Sequence, residues 1–415
     1  MKNKMILVLP ILLILFLAAC TSQKEEILIE DQANGVEPTE TSESEIVEKR
    51  EIMTPTQNLF DNSSPPTGAE REFTTDFSIS AIPFDEILSG GPSKDGIPPI
   101  DNPQFTSIEA ADQWLDPREP VILVSIDQAV KAYPIQILMW HEIVNDTLGD
   151  IPIVVSFCPL CNTAIVFERT IDGEVLDFGT TGRLRFSNLI MYDRQTESWW
   201  QQATGEGIVG TLTGNKLSLL PGAMIAWEDF KNAHPDGLVL SRETGHNRPY
   251  GTNPYAGYDD VDNIPFLYRG PETPGELSPV DRILALDFDG ETVAYPYRVL
   301  ADVRVVNDRV GNQDVVIFWA PGTASALDAQ FISDGQDVGS AIAFSRILDG
   351  QELTFQLDDD RIVDEETGST WDFLGHALSG PLEGEQLEEV VGVNYLWFAW
   401  AAFKPETQIY QPSSE

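Results

Sequence analysis

The sequence predicts a β-rich α+β protein made of two tandem homologous repeats, each mainly antiparallel strands with a few short helices. Three observations predict it. Runs such as VILVSID, IPIVVSF, AIVFER, EVLDF and LIMYD are β-branched and aromatic and are punctuated by Asp-Gly and Gly turns, which is strand and hairpin chemistry. Residues 132–146, AYPIQILMWHEIVND, return as AYPYRVLADVRVVND at 294–308. The stretch from about residue 73 to 415 is too long for one ordinary core.

The chain begins with two lysines and an apolar run ending Leu17-Ala18-Ala19-Cys20. That is the layout of a secretory signal, and its ending resembles a lipobox, so residues 1–20 are expected to be a lipoprotein signal peptide with Cys20 the lipidated residue. The run falls short of the roughly 18 to 20 apolar residues that span a bilayer. Residues 21–72, rich in Glu, Ser, Thr and Pro, read as an acidic tether with an r.m.s. reach on the order of 40 Å. The protein is therefore expected outside the cytoplasm, held to a membrane by an N-terminal lipid. A net charge of -42 argues against nucleic acid and against adhesion to anionic lipid.

The first repeat is placed at 73–258, a linker at 259–280 and the second repeat at 281–415. With the register held, CPLCNTA (158–164) falls on APGTASA (320–326), AIVFERTIDGEVLDF (164–178) on AIAFSRILDGQELTF (341–355), and Asp193, Thr196, Ser198 and Trp200 on Asp364, Thr367, Ser369 and Trp371. Trp227 and Pro235 fall on Trp397 and Pro405. AWEDFKNAHP is the clearest short helix, ended near Pro235, and CPLC sits on a turn between two strands, where Pro159 disfavours a regular strand.

Residues kept in both halves belong to a shared scaffold, and residues kept in one need another reason. His141 is Val303 in the second half, Glu142 is Arg304, Cys158 is Ala320 and Cys161 is Thr323. The segment TTGRLRFSN (180–188) has no counterpart. The first half thus carries a site that the second lacks.

With Cys20 assigned to the lipid, one thiol pair remains. Two thiolates and an imidazole form a soft set suited to Cu(I) or Zn, so His141, Cys158 and Cys161 are the expected metal ligands. The alternative is a thiol-disulfide oxidoreductase cycling Cys158 and Cys161, with His141 or Glu142 as base. The third is a non-catalytic scaffold with a structural disulfide, which closes so short a loop that it constrains the unfolded chain by only about 2 kcal/mol. A thioredoxin-type site opens a helix, and AIVFER is a poor helix start. The deaminase pattern fails on spacing, and Asn162 after Cys161 excludes the C-x-x-C-H haem signature.

The segments DGIPPIDNPQF, AYPIQILMWHEIVND, SFCPLCNTAIVFER, NLIMYDRQTESWWQQ, ETGHNRPYGTNPYAGY, TGSTWDFLGHALSGPL and WFAWAAFKPET resemble the prokaryotic family catalogued as domain of unknown function 3179, over about residues 85–415. The resemblance supports His141, Cys158 and Cys161 as a motif and implies no settled activity. Asn162 stands where that family usually has glycine. Arg183, Asn188, Tyr192, Asp193 and Arg194 are candidates for the same cleft, although Asp193 recurs as Asp364 and reads as a turn residue. Trp199 and Trp200 read as core or rim aromatics, His234 as exposed, His246 as an outside fourth ligand, and Asp358 to Asp360 resemble a cation loop only superficially.

Overall fold

The computed structural model describes residues 64–412, which leaves the signal segment, Cys20 and most of the expected tether outside the described residues. Strands dominate, most of them antiparallel, and the few helices are no longer than seven residues. Among the described residues no helix is long and apolar enough to cross a membrane. The first helix, Ala69–Glu72, falls within the segment expected to be tether, and its Ala69 is buried beside Phe73, Tyr192 and Trp199.

The β-branched runs form the expected strands. Pro120–Ile126 pairs with Ala129–Pro134, Ile143–Leu148 with Ile151–Cys158, and that strand with Thr163–Glu168. AWEDFKNAHP yields the helix Trp227–Ala233, whose backbone ends before Pro235. The structure adds the helix Ile135–His141 from a segment without a side-chain cap, where only Trp140 is not fully buried. Burial of an almost wholly apolar turn replaces the polar signals by which a helix start is usually read.

Residues 282–401 run through a similar order. Arg282–Phe288 pairs with Glu291–Pro296, the helix Tyr297–Val303 follows, and Val305–Val310 pairs with Gln313–Ala320. Register partners correspond: Val121 faces Pro134 as Ile283 faces Pro296, and Ile143 faces Ser156 as Val305 faces Phe318. The residues after the two helices, Glu142 and Arg304, both turn left-handed, at φ 58° and 61°.

The halves are interlocked. One core joins Cys158, Cys161, Phe178, Met191 and Trp200 to Ile283, Tyr395, Trp397 and Phe398. Another joins Val121, Ile225, Trp227 and Phe230 to Phe318, Phe344, Phe355 and Trp371. Each half therefore covers apolar surface that the other cannot bury alone.

Candidate functional site

Cys158 ends its strand, Pro159–Cys161 make one 3₁₀ turn, and Asn162 reverses the chain at φ 49° and ψ 41° so that Thr163 can face Cys158 across the sheet. Side chains three residues apart eclipse on a 3₁₀ turn. That is why the two sulfurs stand 3.0 Å apart, both as free, buried thiols. Asparagine tolerates the left-handed conformation that glycine takes freely, so Asn162 can make this turn. Its Oδ1 is buried without a hydrogen-bond partner.

The segment unique to the first half closes over the sulfurs. Phe178–Arg185 and Asn188–Asp193 form a hairpin whose two turn residues, Phe186 and Ser187, have φ of 52° and 66°. Such a turn favours Asn-Gly, and a phenylalanine there stores strain on the order of 1 kcal/mol or more. The turn brings the Ser187 carbonyl to 3.5 Å from Cys161 Sγ and 3.9 Å from Cys158 Sγ. Asn188 Nδ2 donates to Cys161 Sγ at 3.3 Å and to Gln202 Oε1 at 3.1 Å, and Gln202 in turn donates to Ser156 Oγ at 3.1 Å. Gly182 supplies the bulge that offsets this hairpin, since a Cβ there would meet the Pro92 carbonyl oxygen at 2.1 Å.

Burial, then the neighbouring Cys158 sulfur, push the Cys161 thiol well above its ordinary value, while the Asn188 bond pulls the other way. Glu142 adds to that upward push. Its own carboxyl is pushed up to about 8 by burial alone. Tyr255 is raised by burial and then by Glu142 and Cys158, and Tyr258 by burial and then by Cys161. These tyrosines pack on the core that holds both cysteines. Glu142, the two thiols, Asn188 and the two tyrosines thus share one electrostatic environment.

His141 does not face it. Its Nδ1–H donates to the Pro98 carbonyl at 2.7 Å, so Nε2 accepts from the Tyr250 hydroxyl at 2.6 Å, and Tyr250 also bonds Thr244 Oγ1 at 2.6 Å. Burial lowers its pKa to about 4 and keeps the ring neutral. The ligand set His141, Cys158 and Cys161 expected from the sequence is not brought together, because both ring nitrogens are occupied elsewhere. Among the described residues no three His, Cys, Asp or Glu side chains stand as a group able to hold a metal ion. His246 is exposed, and its ring lies 5.5 Å from that of His141 and so apart from the thiols' partners.

The remaining candidates divide. Asn188 reaches the thiols. Arg183 pairs with Glu72 at 3.0 Å, and Tyr192 and Arg194 both bond Asp95, at 2.6 and 3.0 Å. Asp193 holds its turn through the Thr196 N–H at 2.6 Å and the Trp200 indole at 2.9 Å, as Asp364 does through Thr367 and Trp371. Trp199 and Trp200 are fully buried core. His234, expected exposed, is half-buried because its ring packs 5.4 Å from Phe230 and 6.0 Å from His376. Asp359 and Asp360 form the left-handed turn between strands Phe355–Asp358 and Arg361–Asp364. Tyr255 and Tyr258 were missed as site residues, although they lie in the quoted segment ETGHNRPYGTNPYAGY.

No curated protein and no solved structure matches the chain. One family model does, over residues 94–407, spanning the thiol turn, its covering hairpin and the elements of both halves. The chain belongs to that family, described as Protein of unknown function (DUF3179).

Proposed function

We propose that Cys158 and Cys161 form a redox-active dithiol that exchanges with disulfides. The observation that carries this is the 3.0 Å pair of thiols held on a 3₁₀ turn beside a buried carboxyl that titrates near pH 8. In the exchange, the Cys158 thiolate attacks one sulfur of a disulfide RSSR′ and expels R′S⁻. Cys161 then attacks Cys158 Sγ and expels RS⁻. Two electrons pass from the dithiol to the incoming disulfide. The two thiol protons end on RSH and R′SH, that of Cys161 by way of Glu142. Cys161, fully buried with a raised pKa, suits the second step, in which the attack is intramolecular. The strained Phe186–Ser187 turn supports a functional role, since strain of this kind gathers at working sites.

A Cu(I) or Zn role retains only the two sulfurs as soft ligands. The deciding experiment equilibrates the purified protein across a series of glutathione redox buffers and counts free thiols by alkylation and mass spectrometry. A two-electron transition at Cys158 and Cys161, lost in Cys158→Ser, is expected. Thiols that stay reduced throughout, together with stoichiometric metal binding that depends on both, would overturn the redox reading.

The same proposal takes the two halves as copies of one unit, on the matched registers, and the chain as a lipoprotein anchored outside the cytoplasm through Cys20. Cys20→Ser is expected to move the protein from the membrane fraction to the soluble one. Retention after alkaline washing would point to a spanning anchor instead.

A further inference from the structure

The dithiol reading leaves open what reaches two buried sulfurs, and this inference rests on that reading. Within six residues, Val261, Ile264 and Phe266 are 61 %, 87 % and 56 % exposed, three of the ten large exposed hydrophobics among the described residues. Isolated exposed apolar side chains are ordinary, but a cluster on one loop is a recognition feature. This loop is tied to the thiol site by its backbone. The Phe266 N–H donates to the Tyr258 hydroxyl at 3.3 Å, and the Phe266 carbonyl accepts from Ser187 Oγ. Ser187 is the residue whose own carbonyl faces both sulfurs, and Tyr258 packs on the core that holds them. The next residue, Leu267, is held at φ 56°, a conformation costly for a bulky side chain.

We infer that residues 258–268 are a docking loop for a disulfide-bearing polypeptide with apolar residues and cationic neighbours, and that docking draws the loop away from the sulfurs. The apolar tips supply the contact. Asp260 and Asp262, exposed between and beside them, select cationic neighbours. The same carboxylates, on a chain of net charge -42, oppose insertion into an anionic membrane surface. Release of Leu267 from its left-handed conformation offsets part of the cost of breaking the two hydrogen bonds.

The test follows the release of 2-thiopyridone from two reagents by the reduced full chain. One is 2,2′-dithiodipyridine, and the other is a short peptide of leucine, phenylalanine and arginine bearing a cysteine in mixed disulfide with thiopyridine. In each reaction the dithiol becomes a disulfide and the reagent's disulfide is reduced to two thiols. Ile264→Ser combined with Phe266→Ser changes only exposed side chains and adds no charge. It is expected to slow the peptide reaction at least about tenfold while leaving the small reagent's rate within about twofold. An unchanged peptide rate in the variant would overturn the docking loop, as would an equal rate for a peptide with serine in place of leucine, phenylalanine and arginine. Binding to phosphatidylcholine vesicles that the variant loses, with an unchanged peptide rate, would reassign the loop to lipid and also overturn it. No release from either reagent would remove the dithiol reading and this inference with it.

Discussion

In the first half, the strand after left-handed Glu142 pairs with one that ends in Cys158, and the following turn carries Cys161 beneath the tip of a long hairpin. In the second half, the strand after left-handed Arg304 pairs with one that ends in Ala320, Thr323 bonds Ser340 Oγ at 2.6 Å, and the corresponding hairpin, Phe355–Asp358 with Arg361–Asp364, is shorter. The backbones agree closely in register, so the difference lies in the side chains that three positions direct inward and in one insertion. Arg304 uses its position to reach outward to Asp360 at 2.6 Å, where Glu142 is buried among thiols and phenols. The second half forms matching strand registers without a thiol pair, and so the dithiol calls for a chemical explanation.

The comparison breaks most visibly if the first turn is given the second turn's residues. Cys158→Ala with Cys161→Thr is expected to abolish disulfide exchange, a loss of more than about a hundredfold, while thermal unfolding costs no more than about 2 kcal/mol. Collapse of the fold in calorimetry would mean that the halves are not equivalent supports.

A second effect sharpens the contrast through pH. Glu142 and Glu389 are both pushed up to about 8 by burial, one in each half. A carboxyl raised in the folded state binds a proton there that the unfolded chain has released. Its stabilisation is complete below about pH 4.5 and is lost as pH rises through about 8. Glu142→Gln and Glu389→Gln should each flatten part of this decline, by about 1.4 kcal/mol per pH unit of window at most. Only Glu142→Gln is expected to slow exchange, by about tenfold or more, and to remove the limb of its pH–rate profile near 8. Equal effects of both variants on exchange would dissociate Glu142 from the thiols.

The two matching aspartate turns are expected to give a smaller, symmetrical effect. Asp193→Asn and Asp364→Asn each leave a buried turn donor or indole without its acceptor and should cost about 1 to 3 kcal/mol, equal to within about 1 kcal/mol by denaturant unfolding. The smallest effect is expected at Asp360→Asn. It keeps the left-handed turn but removes an exposed ion pair with Arg304, and should change stability by less than about 0.5 kcal/mol.

Much of the strand order is legible in the sequence. The strand runs carried their period and composition, and the Cys-x-x-Cys spacing together with the absence of thiols from the matching stretch 320–326 drew attention to the turn at Cys158 and Cys161. The separation of His141 from the thiols was not legible, because the left-handed turn at residue 142 sends two sequence neighbours to different surroundings. Burial then settles the imidazole on Pro98 and Tyr250. Asn188 was accessible through its place in the unmatched segment. Tyr255 and Tyr258 lie nearly a hundred residues from the thiols, and nothing in local pattern reports that a long loop folds back over a particular turn.

The interlocked cores have a consequence for how the chain is made. The strand Val393–Leu396 closes against Arg282–Phe288, and Trp397 and Phe398 complete the core around the cysteines. Until the last few dozen residues have been delivered, the core around the thiol turn is incomplete. Contacts of such long sequence separation form late and slowly. A nascent chain therefore holds Cys158 and Cys161 in an unfinished core, and truncation before residue 393 is expected to yield aggregates rather than a smaller folded protein.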